Sequence, residues 1–273
     1  CAALLGGFLQ VAHETGLPLR LREIGASAGL NLGFDRFAYQ LGPHRWGDPA
    51  APVTITSDWS GPPPPLGAPL RVASRAGCDV APLDVTDAEP CRRLESFLWP
   101  EQLGRPGPVR GRLPGPPRAG FPHAATSSTG SPTVAPAARA CRPLESFLWP
   151  GQLERLALLR AALAAVRADP PPLEAMRAGE WLARELAAPV AGEATVLFHS
   201  VVWWYVPEEE RARIDATVRA AGARARPDAP LAWLRMEGAT LDEAELRLLL
   251  WPGGEDRLLA RVHWHGAWVR WAG

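Results

Sequence analysis

Leu19-Arg-Leu-Arg-Glu-Ile-Gly-Ala-Ser-Ala-Gly-Leu-Asn-Leu32 is the stretch on which the fold turns. Leu19 and Leu21 alternate with arginines up to Glu23 and Ile24, and then small residues take every second place at Gly25, Ser27 and Gly29. Strand alternation that runs into Gly-x-Ser-x-Gly predicts a strand ending in a tight turn with close backbone approach. Two chemistries use such a turn. In one, Glu23-x-Gly25-x-Ser27-x-Gly29 is the first loop of a Rossmann-like nucleotide site, where small residues let backbone N–H groups approach a cofactor. In the other, Gly25-Ala-Ser27-Ala-Gly29 is a nucleophile elbow with Ser27 as the attacking hydroxyl.

Working outward, a helix over Ala2–Thr15 precedes the strand Leu19–Ile24, with Gly16 as its stop. A long irregular stretch containing Trp46, Trp59 and Pro62–Pro65 follows the turn. Arg71–Ser74 reads as a short strand entering Ala76-Gly-Cys-Asp79, Leu153–Ala168 as an amphipathic helix, Pro172–Arg177 as a weak strand and Glu180–Ala187 as a helix. Thr195–Val202 is a strongly apolar strand. The next helix opens at Pro207 with Glu208–Glu210 complementing its dipole, and ends at Gly222. Leu231–Met236 is another strand. Glu245–Trp251 and Ala260–Trp271 read as a hairpin joined at Pro252-Gly-Gly-Glu255. Strands alternating with helices imply an α/β fold: a Rossmann-like, mainly parallel open sheet finished by an antiparallel C-terminal hairpin. In such sheets ligands bind at the carboxyl ends of the strands, near the switch in strand order.

One segment repeats. Leu94-Glu-Ser-Phe-Leu-Trp-Pro100 recurs as Leu144-Glu-Ser-Phe-Leu-Trp-Pro150, and fainter matches at the same offset extend the duplication over residues 91–153. Between Gly104 and Ala140 there are 8 Pro and 6 Gly in 37 residues, with five arginines and no acid. That Pro+Gly share passes the ~25–30% of disordered sequence. Residues 104–140 therefore read as a disordered insert within a single domain spanning 1–273.

Composition narrows the function classes. Hydrophobic residues make up 47% and charged residues 21% of the 273, and the formal net charge is zero. Nothing pulls the chain generally toward nucleic acid or an anionic membrane, and no apolar run reaches the ~18 residues of a membrane helix. The four cysteines (Cys1, Cys78, Cys91, Cys141) have neither C-x-x-C nor other metal spacing, which argues against a metal site or disulfide framework and suits a reducing, cytoplasmic location. The chain opens at Cys1 already in helical pattern, so it reads as a fragment whose N-terminus and any targeting signal lie upstream.

The motifs Glu-Ile-Gly-Ala-Ser-Ala-Gly-Leu-Asn-Leu (23–32), Asp35-Arg36-Phe37, Gly77-Cys-Asp79 with Pro82-Leu-Asp84, Phe-Leu-Trp-Pro, Phe198-His-Ser-Val-Val202 with Tyr205, and Trp251-Pro-Gly-Gly254 span nearly all of the chain outside 104–140. Together they closely resemble a bacterial family known as domain of unknown function 2332. The resemblance carries no established activity. It implies a fold like that of class I S-adenosylmethionine-dependent methyltransferases, with a seven-stranded sheet ending in an antiparallel hairpin.

Under that resemblance S-adenosylmethionine is the expected cofactor and an unidentified small molecule the acceptor. Gly25, Ser27 and Gly29 would let the loop lie against the methionine part of the cofactor, and Glu23 would steady the loop or meet the cofactor's amino group. Asp79 would take the ribose hydroxyls, provided Phe34–Ala68 is an excursion between the two strands. Glu180 would sit near the adenine. His199 and Ser200 would face the reacting centre, with Tyr205 nearby. The serine-hydrolase alternative needs an acid from Asp215 or Asp242 and a base from His263 or His265, in that chain order. Leu30-Asn-Leu-Gly33, however, is a poor start for the long helix an elbow launches. A third alternative is a non-catalytic Rossmann-like scaffold that binds through Trp251, Trp264, Trp268 and Trp271, although core packing of the hairpin also accounts for those residues.

The insert reading generates a test. Deleting residues 104–153 fuses one Leu-Glu-Ser-Phe-Leu-Trp-Pro copy to Glu154 and removes a stretch that buries too little apolar surface to offset its ordering entropy. Thermal melting should show an equal or higher midpoint; a large drop would mean that the second copy has a packing slot of its own.

Overall fold

The structure, a computed structural model, describes residues 2–86, 153–240 and 242–273. Among these, an eleven-stranded sheet holds β1 (Leu19–Ile24), β2 (Ala38–Leu41), β3 (His44–Trp46), β4 (Thr54–Ser60), β5 (Val72–Asp79), β6 (Leu173–Ala175), β7 (Ala194–Ser200), β8 (Leu231–Gly238), β9 (Ala244–Trp251), β10 (Glu255–Val262) and β11 (Trp268–Trp271). Their spatial order is β3-β2-β4-β11-β10-β9-β8-β7-β1-β5-β6. Four helices accompany them: α1 (Ala2–Thr15), α2 (Leu153–Arg167), α3 (Ala178–Glu185) and α4 (Glu208–Gly222). The duplicated segment 91–153, but for Leu153, and its insert at 104–140 lie outside the described residues.

The run that opened the sequence analysis is a central strand. β1 lies between β5 and β7, parallel to both, and β6 and β8 extend the parallel set. Its alternation sorts side chains to two covered faces. Leu19 and Leu21 enter one core, while Arg20 and Arg22 point to the other face, where both reach Glu185 of α3 at 3.0 and 2.6 Å. A shared carboxylate is what permits two arginines on a buried strand.

Each face has its own core. On one, α1 is buried on every side over Ala2–Leu9, as that apolar run requires, and packs across β7, β8, β9 and β10. Phe8 meets Phe34 at 4.3 Å and Phe198 edge-on at 5.0 Å between ring centroids. Gly6 and Gly7 bring the helix close: a Cβ there would stand 2.6 Å from Trp271 and 2.5 Å from Leu234. On the other face Trp181 and Leu182 of α3 and Ile214 and Val218 of α4 close over Ile24, Cys78, Leu197, Trp233 and Leu249.

A mixed α/β fold with a mostly parallel central sheet and an antiparallel C-terminal end agrees with the sequence reading. Three local expectations need correction. The stretch expected to be irregular carries β2, β3 and β4, short strands cut by Gly42, Pro43 and Gly47. It is also the excursion that separates β1 from β5 in the chain, and its three strands form the far edge of the sheet beside β11. Ala260–Trp271 is not one strand: β10 starts at Glu255, and a turn with Gly266 at φ 75° separates it from β11. The antiparallel end is therefore the meander β8-β9-β10-β11, and the sheet has eleven strands rather than seven. Finally, β7 stops at Ser200, because Val201 turns left-handed at φ 54°.

Because α1 holds its face through Phe8, Phe8→Ala should cost about 3–5 kcal/mol, the loss typical of an aromatic ring removed from a packed core. Denaturant unfolding measures it; a loss near zero would mean that α1 contributes little to the core.

Candidate functional site

Parallel strands end at one edge, and the residues just past four of those ends enclose a cavity of about 290 Å³. Gly25 follows β1, Asp79 and Val80 end and follow β5, Met176–Ala178 follow β6, and Val202 with Tyr205–Pro207 follow β7; Cys78 and Glu210 complete the lining. The walls are mainly apolar, with Asp79, Arg177 and Glu210 as the charged groups. Burial, with Asp79 beside it, pushes the Cys78 thiol up to about 12, so it stays protonated and inert at neutral pH.

The loop after β1 is folded by left-handed backbone at alternate residues: φ is 68° at Gly25, 52° at Ser27 and 69° at Gly29. Glycine takes this conformation freely, whereas serine does so at a cost. Asp79 compensates at Ser27. Its Oδ2 accepts the Ser27 N–H at 3.0 Å, and its Oδ1 accepts the Ala81 N–H at 2.9 Å. A carboxylate oxygen has two lone pairs, so both oxygens keep one for a further donor. Asp79 is half-buried.

Of the residues the sequence singled out, Gly25, Asp79 and Tyr205 come together at this cavity. Gly29 instead faces Pro171 and Leu173, where a Cβ would be 2.7 Å from the Pro171 ring, so its work is close packing of the loop. Glu23 lies beneath the loop, 2% exposed, with Oε1 accepting from Asn31 Nδ2 at 3.0 Å and Oε2 unpartnered. Burial raises its carboxyl to about 8, the Asn31 hydrogen bond opposing the shift only in part. Glu180 is exposed in an adjoining hollow with Glu209 and Arg213, which shares Arg177, Pro207 and Glu210 with the cavity. Glu210, read from sequence as a helix-dipole residue, is the acid that lines the cavity, and its Oε1 accepts the Gly179 N–H at 2.7 Å.

His199 opens on another cavity, of about 260 Å³, beyond the turn that follows β7. The ring is 1% exposed and stacks on Trp203 at 4.9 Å. Its Nδ1 lies 2.6 Å from Oε1 of Glu237. Burial holds the imidazole below its ordinary pKa against the pull of Glu237, so the ring is neutral at pH 7 and donates its Nδ1 proton to the carboxylate. Glu237 also accepts the backbone N–H groups of Val202 at 3.1 Å and Trp203 at 3.3 Å. These amides are presented by the left-handed turn at Val201, a conformation rare for a β-branched residue and typical of functional sites. Sequence reasoning missed Glu237. The signal was present in Trp233-x-Arg235-x-Glu237, whose spacing of two puts all three on the face of β8 beside His199.

The hydrolase residues are spread out. Ser27 is followed by a short 3-10 turn, Asn31–Arg36, where an elbow would launch a long helix. Asp215 is on α4 and pairs with Arg219 at 2.7 Å, while His263 and His265 occupy the β10–β11 turn with β9, β8 and β7 between β10 and β1. Among the C-terminal tryptophans, Trp271 is buried and stacks on Trp59 at 5.4 Å, and Trp251 packs on Gly222. Among the described residues no group of three or more His, Cys, Asp or Glu could hold a metal ion, and no helix is long and apolar enough to cross a membrane.

A family model described as an uncharacterized protein conserved in bacteria (DUF2332) matches residues 1–113 and 131–271. No curated protein and no solved structure matches the chain.

The buried Glu23 makes stability depend on pH. Its folded pKa, about 8, lies above the ordinary carboxylate value of 4.5. Between the two the folded state holds a proton that the unfolded state has released, so stability falls as pH rises through that window. Glu23→Gln removes the titration. The variant should match wild type near pH 4 and exceed it by roughly 1–4 kcal/mol at pH 9. Unfolding curves at the two pH values decide it; an equal difference at both would mean that Glu23 is ionised throughout.

Proposed function

The chain belongs to this bacterial family, and we propose that it is an S-adenosylmethionine-dependent methyltransferase acting on a small acceptor, with the cofactor in the cavity beyond β1, β5, β6 and β7. The observation that carries the reading is the position of Asp79. It stands at the end of the strand next to β1, pinned by the Ser27 N–H, with acceptor capacity left on both oxygens. A vicinal diol is the ligand feature that matches two such oxygens, and ribose supplies one. Strand order supports the same reading. Taken alone, β6-β5-β1-β7-β8 runs 3-2-1-4-5, the arrangement of a Rossmann-like sheet, and the cavity sits where the order reverses about β1.

The donor set fits the group. Met176, Val202, Val206 and Pro207 offer apolar walls to an adenine ring, and Gly25 lets the loop close against Val202, where a Cβ would lie 2.3 Å away. When bound, S-adenosylmethionine supplies an activated methyl group. The chain's own part is to hold the ribose at Asp79, shield the base, and present an acceptor along Tyr205, which lines the cavity and is 82% exposed. His199, facing the other cavity, has no role in this scheme, and neither does Glu180.

Calorimetry with S-adenosylhomocysteine should show saturable binding. Asp79→Ala should weaken it at least tenfold, since each buried hydroxyl left unpaired costs about 1–3 kcal/mol. Removing the ligand's 2′-hydroxyl should cost wild type a similar factor and the variant little more. No heat with either S-adenosylmethionine or S-adenosylhomocysteine would favour the non-catalytic scaffold.

A further inference from the structure

Five buried side-chain polar atoms among the described residues have no hydrogen-bond partner, and three belong to residues lining the His199 cavity: His199 Nε2, Trp233 Nε1 and Arg235 Nε. Buried polar groups are nearly always paired, and each orphan costs about as much as a lost hydrogen bond. Three gathered at one cavity are a set of unmet demands with a definite chemistry. Trp233 Nε1–H and Arg235 Nε–H only donate, so a ligand must offer them acceptors. His199 has given its Nδ1 proton to Glu237, so its Nε2 accepts, and the ligand must also offer a donor.

The three groups are neighbours. His199 and Arg235 are register partners on β7 and β8, the His199 and Trp233 rings are 6.1 Å apart, and the Arg235 guanidinium lies 4.8 Å over the Trp233 ring. The arginines at the cavity are already paired. Arg235 binds Asp256 at 2.6 Å, Arg247 binds Asp256 and Glu245 at 3.2 Å, and Asp215 binds Arg219. Glu237, paired only with a neutral imidazole and backbone amides, keeps its charge, but a cationic ligand would also meet the two unpaired N–H donors and two guanidinium groups, and an anionic one would find no free cation.

We propose that this cavity is a binding site for a small uncharged polyhydroxylated molecule, a sugar or polyol. A hydroxyl donates and accepts at once, so two adjacent hydroxyls satisfy both N–H donors and the imidazole without bringing charge. Indole surface suits the apolar C–H surface of such a ligand, and Trp203, half-buried at the wall, supplies it. The volume, about 260 Å³, is just below the usual range for ligand pockets and limits the occupant to about one ring. Glu237 is a positioning residue: by accepting from the imidazole and two amides it holds the tautomer and the turn at Val201. The site is separate from the proposed cofactor cavity and does not depend on that reading.

The test is a titration of the full chain with glycerol, myo-inositol and glucose, and with glucuronate as the charged counterpart. It is followed by the indole ¹H–¹⁵N resonance that disappears in Trp233→Phe. At least one neutral polyol should shift that resonance saturably. Arg235→Lys, which keeps the ion pair with Asp256 but loses the Nε–H, should weaken that polyol about tenfold while the rest of the spectrum keeps its native dispersion. S-adenosylhomocysteine binding should be unchanged in Arg235→Lys, so failure of one site is distinguishable from failure of the other. The proposal is overturned if no neutral polyol gives a saturable shift, if glucuronate binds more tightly than glucose, or if Arg235→Lys leaves the affinity intact.

Discussion

A central strand that stops against three neighbours must turn without striking them, and the Ile24–Gly29 turn is where the molecule meets that constraint. Left-handed backbone at Gly25, Ser27 and Gly29 folds the chain back within five residues. Each position answers to a different neighbour: Gly25 to Val202 beyond β7, Gly29 to Pro171 before β6, and Ser27 to the Asp79 carboxylate at the end of β5. Glycine is free to adopt the geometry at two of the three, while at Ser27 a charged hydrogen-bond acceptor holds it. The turn thus fixes how closely three strand ends can approach, and the cavity among them is the space left over.

The two covered faces of the sheet use polar groups differently. On the face with α3, Arg20 and Arg22 converge on Glu185 at the C-terminal end of the helix, a location that also favours cations through the helix dipole. Further along that face, where α4 no longer covers β9, the sheet carries His199, Arg235, Glu237, Glu245 and Arg247 in register across three strands. A strand face without a covering helix need not be apolar. Here it is charged, internally paired, and short of partners at only three atoms.

Period and punctuation made the α/β order legible. The alternation in β1, the apolar run of β7 and the Pro207–Gly222 helix all show in single-sequence pattern, because each is long enough for its period to register. β2 and β3 were hidden because they are four and three residues long and pair only with each other and with β4, at the edge of the sheet. The site was partly legible for a similar reason. Asp79 could be found because it ends a strand, and Gly25 because small residues mark the turn. Glu210 was not, since helix rotation joins it to the cavity, and the spacing of Glu237 with Trp233 and Arg235 showed a shared strand face but not the register that sets that face beside His199.

The turn after β7 is shared between the two cavities. Val202, Tyr205 and Val206 line one, and Trp203 lines the other. The turn holds its shape through the left-handed Val201, and that strain is offset by one side chain, Glu237, which takes the amides of Val202 and Trp203 together with the His199 proton. A buried network of this kind is stable only while every member is satisfied. Removing the Glu237 carboxylate would leave two amides and an imidazole without a partner and release the strain at Val201. Both cavities would lose a wall at once, although they share no lining residue.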